Sequence, residues 1–258
     1  MDISDFGMDF FSLKGKNAIV TGGNTGLGQA FTLALAKGGA NVFVPSIMDD
    51  DGTTGPLIEA EGVRYEYMKA DITQDGVPAQ VLAECVARLG SIDILVNSAG
   101  ICPLGEVLEF GRDKWDPTVA VNLTAAFEMS FEAAKYFVPQ RSGKIINICS
   151  MFSFLGGRQS SAYAATKHGI AGFTKAYADE LAMHGIQVNG IAPGYYATAI
   201  TTATRSDPER NKAVLDHIPA NRWGEPLDLM GAVVFLASRA SDYVNGHILA
   251  VDGGYLVR

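Results

Sequence analysis

The chain has 258 residues, 48% of them hydrophobic and 19% charged, enough to bury a sizeable core and too apolar for a disordered segment. Its formal net charge of −8, with no basic run, argues against nucleic acid as a partner. Three cysteines, Cys85, Cys102 and Cys149, form neither a CxxC pair nor a disulfide framework, which suits a reducing compartment.

The first eleven residues mix Asp2, Asp5 and Asp9 with apolar residues and lack the basic start of a secretory signal. Asn17–Val20 then reads as a first strand, followed by a glycine-rich turn and a helix over about Gly26–Lys37. Asn41–Pro45 and Val63–Met68 read as the next two strands. A helix over about Val77–Leu89 leads into the apolar strand Ile92–Val96. A long helical pattern covers Lys114–Phe137, and Lys144–Ile148 is a fifth strand. Ala162–Met183 is helical, Ile186–Ile191 a sixth strand and His247–Val251 a seventh. The strands are short, apolar and without clean alternation, as parallel strands covered on both faces should be. The expectation is one α/β domain, a doubly wound parallel sheet of seven strands with helices on both faces. The segment Tyr195–Ala220 interrupts the alternation, and a long insertion there predicts a lid over the site. No apolar run reaches the ~18 residues of a membrane span, so the reading is cytoplasmic and non-membrane.

The turn after the first strand is Thr21-Gly22-Gly23-Asn24-Thr25-Gly26-Leu27-Gly28. Glycines between a strand and a helix permit a tight turn and close approach of a pyrophosphate to the helix N-terminus. Asn97-Ser98-Ala99-Gly100 follows the fourth strand, Tyr163-Ala164-Ala165-Thr166-Lys167 the fifth and Pro193-Gly194 the sixth. With the Gly-xxx-Gly-x-Gly spacing of the turn, these motifs resemble the short-chain dehydrogenase/reductase family from about Leu13 to the C-terminus. The resemblance implies a Rossmann-type fold and an oxidoreductase acting on a small molecule with NAD or NADP. It also implies that Gly22, Asn24, Thr25, Gly26, Leu27 and Gly28 run along the phosphates, and that Asp71 and Ile72 reach the adenine. Asn97, Ala99 and Gly100 would line the adenosine side, with Pro193, Gly194 and Thr198 near the nicotinamide. Asp71 otherwise reads as a local cap, since Asp71-Ile72-Thr73 begins a turn. The end of the second strand falls at Ser46, with no Arg or Lys nearby in the chain and Asp49, Asp50 and Asp51 just beyond. That field favours NAD over NADP.

Reducing a ketone needs a hydride at carbon and a proton at oxygen, and a coenzyme carries the hydride. Tyr163 can carry the proton, although an unperturbed tyrosine titrates near about 10. Lys167, four residues on, shares its helix face and would favour the phenolate while holding the ribose hydroxyls. Ser150, thirteen residues before Tyr163, would hydrogen-bond the substrate oxygen. By the resemblance, Asn122 supports a proton relay to the lysine.

Other groups read as structural. Strand alternation turns Cys149 away from Ser150, His168 has no acidic partner in register, and the four histidines show no metal-ligand spacing.

Within the family the chain is similar to the 2-deoxy-D-gluconate 3-dehydrogenase and 2-dehydro-3-deoxy-D-gluconate 5-dehydrogenase group. The similarity rests on Thr25–Gln29, Lys144–Gly157, Ile191–Thr198 and the run from Ile218 through Arg222-Trp223-Gly224 to Val251-Asp252-Gly253-Gly254. It implies a sugar-acid or polyol substrate. Ile101-Cys102-Pro103-Leu104 stands where that group tends to carry arginines, leaving Arg158 and Arg205 as cations for a carboxylate and a neutral ketone as the alternative. A nucleotide-sensing protein would usually lack Tyr163 or Lys167. An isomerase would usually have a longer C-terminal region. The apolar Gly246–Arg258 stretch, with Phe127, Phe131, Phe173 and Tyr177 on the long helices, predicts a homotetramer.

Overall fold

A computed structural model describes residues 3–258; Met1 and Asp2 of the acidic N-terminal stretch lie outside the described residues. Among the described residues seven strands form one parallel sheet: β1 (Asn17–Val20), β2 (Asn41–Ser46), β3 (Tyr65–Lys69), β4 (Ile94–Asn97), β5 (Gly143–Ile148), β6 (Ile186–Pro193) and β7 (Ile248–Val251). Their order is β3-β2-β1-β4-β5-β6-β7, so the doubly wound Rossmann-type sheet is borne out. The helices are α1 (Gly26–Lys37), α2 (Thr54–Glu59), α3 (Val77–Leu89), α4 (Arg112–Val119), α5 (Ala125–Gln140), α6 (Ser161–Leu181), α7 (Thr202–Ser206), α8 (Pro208–His217) and α9 (Leu227–Ala237).

Both faces of the sheet are covered, which is why its central strands carry unbroken apolar runs such as Ala18–Val20 and Ile94–Val96. Along β1, Ala18 and Val20 pack with Phe31 and Leu35 of α1 and with Val233 and Leu236 of α9. Ile19 points the other way, into a layer with Val81 and Leu82 of α3, Met129 and Phe137 of α5, and Leu181 of α6. Each of the larger side chains among these, buried completely, contributes about 1.5–3 kcal/mol, so the two layers fix the strand register.

The helix expected over Lys114–Phe137 is two helices joined by a π-helical turn, Ala120–Thr124. Pro117 in α4 removes one backbone donor, and the widened turn carries Asn122. β3 begins at Tyr65 rather than Val63, and β4 at Ile94 rather than Ile92. α2 is an element the sequence reading lacked.

Sheet order reverses between β1 and β4. Connections leave those two strands in opposite directions, which opens a crevice at their carboxyl ends. Over the same edge lies the segment 195–220, containing α7 and α8, neither of which buries a residue. Asp207 caps α8 by accepting from Glu209 N at 3.0 Å and Arg210 N at 3.2 Å. Trp223 Nε1 donates to Asn211 Oδ1 at 2.7 Å, and the Tyr255 ring lies 4.2 Å from that of His217. α7 and α8 are thus held at their rim, while Tyr196 and Ile218 near the two ends of the segment are buried and anchor it.

Candidate active site

The crevice is framed by the glycine turn after β1 and the Asn97–Gly100 loop after β4. Thr21, which the sequence reading did not single out, joins them: its Oγ1 accepts from Ser98 N and Ala99 N, each at 3.0 Å. Gly22 and Gly26 take φ of 65° and 54°, left-handed values that a side chain would strain. A Cβ on Gly28 would lie 2.2 Å from Gly22 O, so the helix meets its own turn at the closest possible approach. The N-terminus of α1 has no side-chain cap and no acidic residue in its first turn. Its free N–H groups, at exposed Thr25 and Gly26 and half-buried Leu27, offer a phosphate donors and a positive dipole end. Two buried acceptors in the same region, Asn24 Oδ1 and Asn97 Oδ1, have no partner within the chain. A dinucleotide fits this cradle.

The expected coenzyme residues divide into two kinds. Asn24 Nδ2 donates to Met48 O at 3.3 Å and Asp49 O at 3.1 Å, so its amide braces the loop after β2. Asn97 Nδ2 donates to Ser130 Oγ at 2.9 Å and Asn147 Oδ1 at 2.8 Å and locks β4 to its neighbours. Ser46 is buried at the end of β2, its Oγ accepting from Met48 N at 3.1 Å. Asp71 accepts from Thr73 N at 3.0 Å and Thr73 Oγ1 at 2.7 Å, which hold its carboxyl below the usual range. This local turn, with Ile72 buried beside it, does not cap a helix, since α3 starts only at Val77. Gly100 is exposed at the crevice and Ala99 half-buried. Across the site Pro193 pairs with Val251, and a Cβ on Gly194 would lie 2.7 Å from Asp252 Cα. Thr198 opens the lid, its carbonyl accepting from Arg205 Nη2 at 3.0 Å.

β5 ends at Ile148 and delivers Ser150, while α6 delivers Tyr163 and Lys167 one turn apart. Lys167 Nζ donates to Ile148 O at 2.6 Å and stands 5.3 Å from the centre of the Tyr163 ring. Burial drives the Lys167 ammonium down to about 8, well below an ordinary lysine. Burial also pushes Tyr163 up, and the hydrogen bond from Ser150 pulls it back in part. A positive partner is needed to bring the phenolate into range.

Ser153 is a further residue the sequence reading missed. Its Oγ donates to Lys167 O at 2.8 Å and accepts from Ser150 N at 3.3 Å, tying the turn that carries Ser150 to the helix that carries the pair. The signal was present as Ser-x-x-Ser at the end of a strand. Asn122 makes a reciprocal pair with the Ile101 backbone, 2.8 Å in each direction, and so sets the loop leading to Cys102. Cys149 is buried, its thiol pushed up to about 11 by burial, and His168 is exposed on α6.

A family model described as enoyl-(acyl carrier protein) reductase matches residues 22–256. The chain is 67% identical over 256 residues to the uncharacterized oxidoreductase YgcW of Escherichia coli (strain K12), covering 99% of this chain and 98% of that protein. It is 49% identical over 250 residues to the 2-dehydro-3-deoxy-D-gluconate 5-dehydrogenase of the same strain, covering 96% of this chain and 98% of that one. The chain belongs to the short-chain dehydrogenase/reductase family. A solved gluconate 5-dehydrogenase from Burkholderia cenocepacia, in complex with NADP and tartrate, matches with a TM-score of 0.91 at 36% identity, covering 97% of this chain and 98% of that chain.

As a short-chain dehydrogenase/reductase the chain is an NAD(P)-dependent oxidoreductase, and its similarity to the deoxygluconate dehydrogenase group is borne out. No helix among the described residues is long and apolar enough to cross a membrane. No group of three or more His, Cys, Asp or Glu among them could hold a metal ion.

Proposed function

We propose that this protein interconverts a secondary hydroxyl and a ketone on a sugar acid, using NAD(H) in preference to NADP(H), within one catalytic domain lidded by residues 195–220. The carrying observation is the assembly of Ser150, Tyr163 and Lys167 beside the dinucleotide cradle. The bound nicotinamide supplies or accepts the hydride. Gly22, Gly26 and Gly28, with the N-terminus of α1, hold the pyrophosphate. Ser46, Asp71 and Ile72 bound the adenosine end with Asn97–Gly100, and Pro193, Gly194 and Thr198 bound the nicotinamide end. Ser150 donates to the substrate oxygen, Tyr163 exchanges its proton, and Lys167 steadies the phenolate and the ribose. Asn122 holds the loop that closes the other side.

Support for a sugar acid comes from the named relatives, the gluconate and deoxygluconate enzymes above. Two cations are the candidates for a substrate carboxylate. Arg158 is 89% exposed and stands 4.0 Å from Glu106, and Arg205 rides on α7. Cys102, half-buried near Tyr163 and Lys167, supports a second reading, in which the substrate is a neutral polyol or ketone. A panel of aldonic and deoxyaldonic acids, polyols and simple ketones with both coenzymes tests this. The expected result is that an acid exceeds its neutral analogue by about tenfold or more in kcat/KM, the scale of one charge-assisted hydrogen bond. Equal or better turnover of the neutral analogue overturns the sugar-acid reading.

The protein works in this reading as a cytoplasmic homotetramer. β7 is an edge strand, and Phe127 and Phe131 on α5 are 44% and 48% exposed. Val257 in the tail is exposed as well. Light scattering at micromolar concentration is expected to give about four times the 27.4 kDa chain mass. Deleting Tyr255–Arg258 is expected to weaken assembly. A clean monomer at that concentration excludes the tetramer.

A further inference from the structure

An ion pair at the adenosine end of the cleft has no part in the chemistry. β2 ends at Ser46, whose Oγ already accepts from Met48 N and so keeps its own proton free to donate. In a dinucleotide fold the end of this strand faces the ribose position that distinguishes the two coenzymes, and an acidic residue there normally selects NAD. Ser46 is no such residue. Lys69, far away in the chain, closes β3 directly across the parallel register from Ser46, and its Nζ pairs with the Asp49 carboxylate. The cation that the sequence shows nowhere near Ser46 is therefore its neighbour in space.

The loop carrying Asp49 is held from two sides. Asn24 of the glycine turn donates to the carbonyls of Met48 and Asp49, and Tyr67 Oη donates to Met48 O at 2.8 Å. The backbone is thereby fixed while both charged ends stay open, Lys69 at 58% and Asp49 at 83% exposure. An exposed pair of this kind is weak and exchangeable. Asp50 and Asp51 follow at once on the same loop, their carboxylates accepting from Gly52 N and Thr53 N, so a 2′-phosphate arriving here with about −1.5 to −2 charges approaches an acidic loop and a cation that is already paired.

We propose that Asp49 and Lys69 together form the coenzyme discriminator of this protein. Asp49 neutralises Lys69 and holds it from a 2′-phosphate; without Asp49 the same lysine becomes a phosphate ligand. This rests on the NAD(H) preference stated above. It places the selection on a loop residue and a β3 residue in place of an acid at the end of β2.

Coenzyme fluorescence titrations of the full chain with NADH and NADPH, at about 0.1 M ionic strength, measure binding without turnover. The proteins are wild type, Asp49→Asn, Lys69→Gln and the double variant. Asp49→Asn is expected to tighten NADPH about tenfold and to change NADH by less than about twofold. In the Lys69→Gln background the same substitution should tighten NADPH by no more than about threefold, because the freed cation is gone. Equal tightening in both backgrounds, or none in the first, overturns the proposal. A tenfold loss of NADH affinity in Asp49→Asn also overturns it, assigning Asp49 to direct ribose contact. A wild-type preference for NADPH defeats the NAD(H) reading by itself, whereas the discriminator stands or falls on the cycle between variants.

Discussion

Tyr163→Phe is expected to lower turnover by about 100-fold or more while leaving coenzyme affinity within about twofold. The substitution removes one oxygen and nothing else. The ring stays packed edge-on against Phe152 at 6.1 Å, so α6 keeps its seat. What disappears is the acid proposed to give its proton to the ketone oxygen, and a 100-fold loss corresponds to about 2.7 kcal/mol of barrier. Tyr163 is suited to the donor role because burial keeps it protonated across the neutral range. In the oxidation direction the same burial is an obstacle, which Lys167 and the coenzyme charge must offset. Steady-state rates on a substrate from the panel, with coenzyme titration of the same variant, check the split. Near-normal turnover transfers the proton to another group and removes Tyr163 from the mechanism.

The seven strands and their parallel class were legible because parallel strands covered on both faces leave unbroken apolar runs, as at Ala18–Val20 and Ile94–Val96. The candidate trio was brought together for a related reason: Tyr163 and Lys167 are one helical turn apart, and Ser150 follows the end of the preceding strand. Contacts between elements were not. Lys69 is invisible from Ser46 along the chain and adjacent across the sheet. Asn24 sits in the phosphate turn by sequence, yet its amide spends both hydrogens on the next loop. The break at Ala120–Thr124 left no mark because a π-helical turn keeps the apolar pattern running, and Pro117 alone did not reveal it. α2 was hidden because Gly55 and Pro56 are poor helix formers, yet here they sit inside a short helix, with Gly55 against the Tyr65 ring. Each of these failures is a contact or a backbone state that local pattern does not encode.

Lys167→Met should lose about 100-fold or more in turnover and, unlike Tyr163→Phe, also weaken the coenzyme. Both effects come from one atom. Nζ is held by Ile148 O at 2.6 Å, beside the Tyr163 ring, and in the proposed mechanism it favours phenolate and holds the ribose. Methionine keeps the length and apolar bulk of the stem, so the buried site is filled and a folded protein is expected. The pH dependence gives a second reading of the same group. Burial lowers Lys167 to about 8, so its charge is complete below that pH and lost as pH rises through it. Because kcat/KM for the reduced coenzyme reports the free enzyme, it should be flat on the acid side and fall through a limb near 8. In Lys167→Met that limb should vanish, since no charge remains to be lost. The double variant with Tyr163→Phe should be little worse than either single one, because residues that move a proton as a unit fail as a unit. Additive losses, or a limb near 8 that survives in Lys167→Met, would mean that the lysine acts on stability and binding alone and that another group prepares the tyrosine.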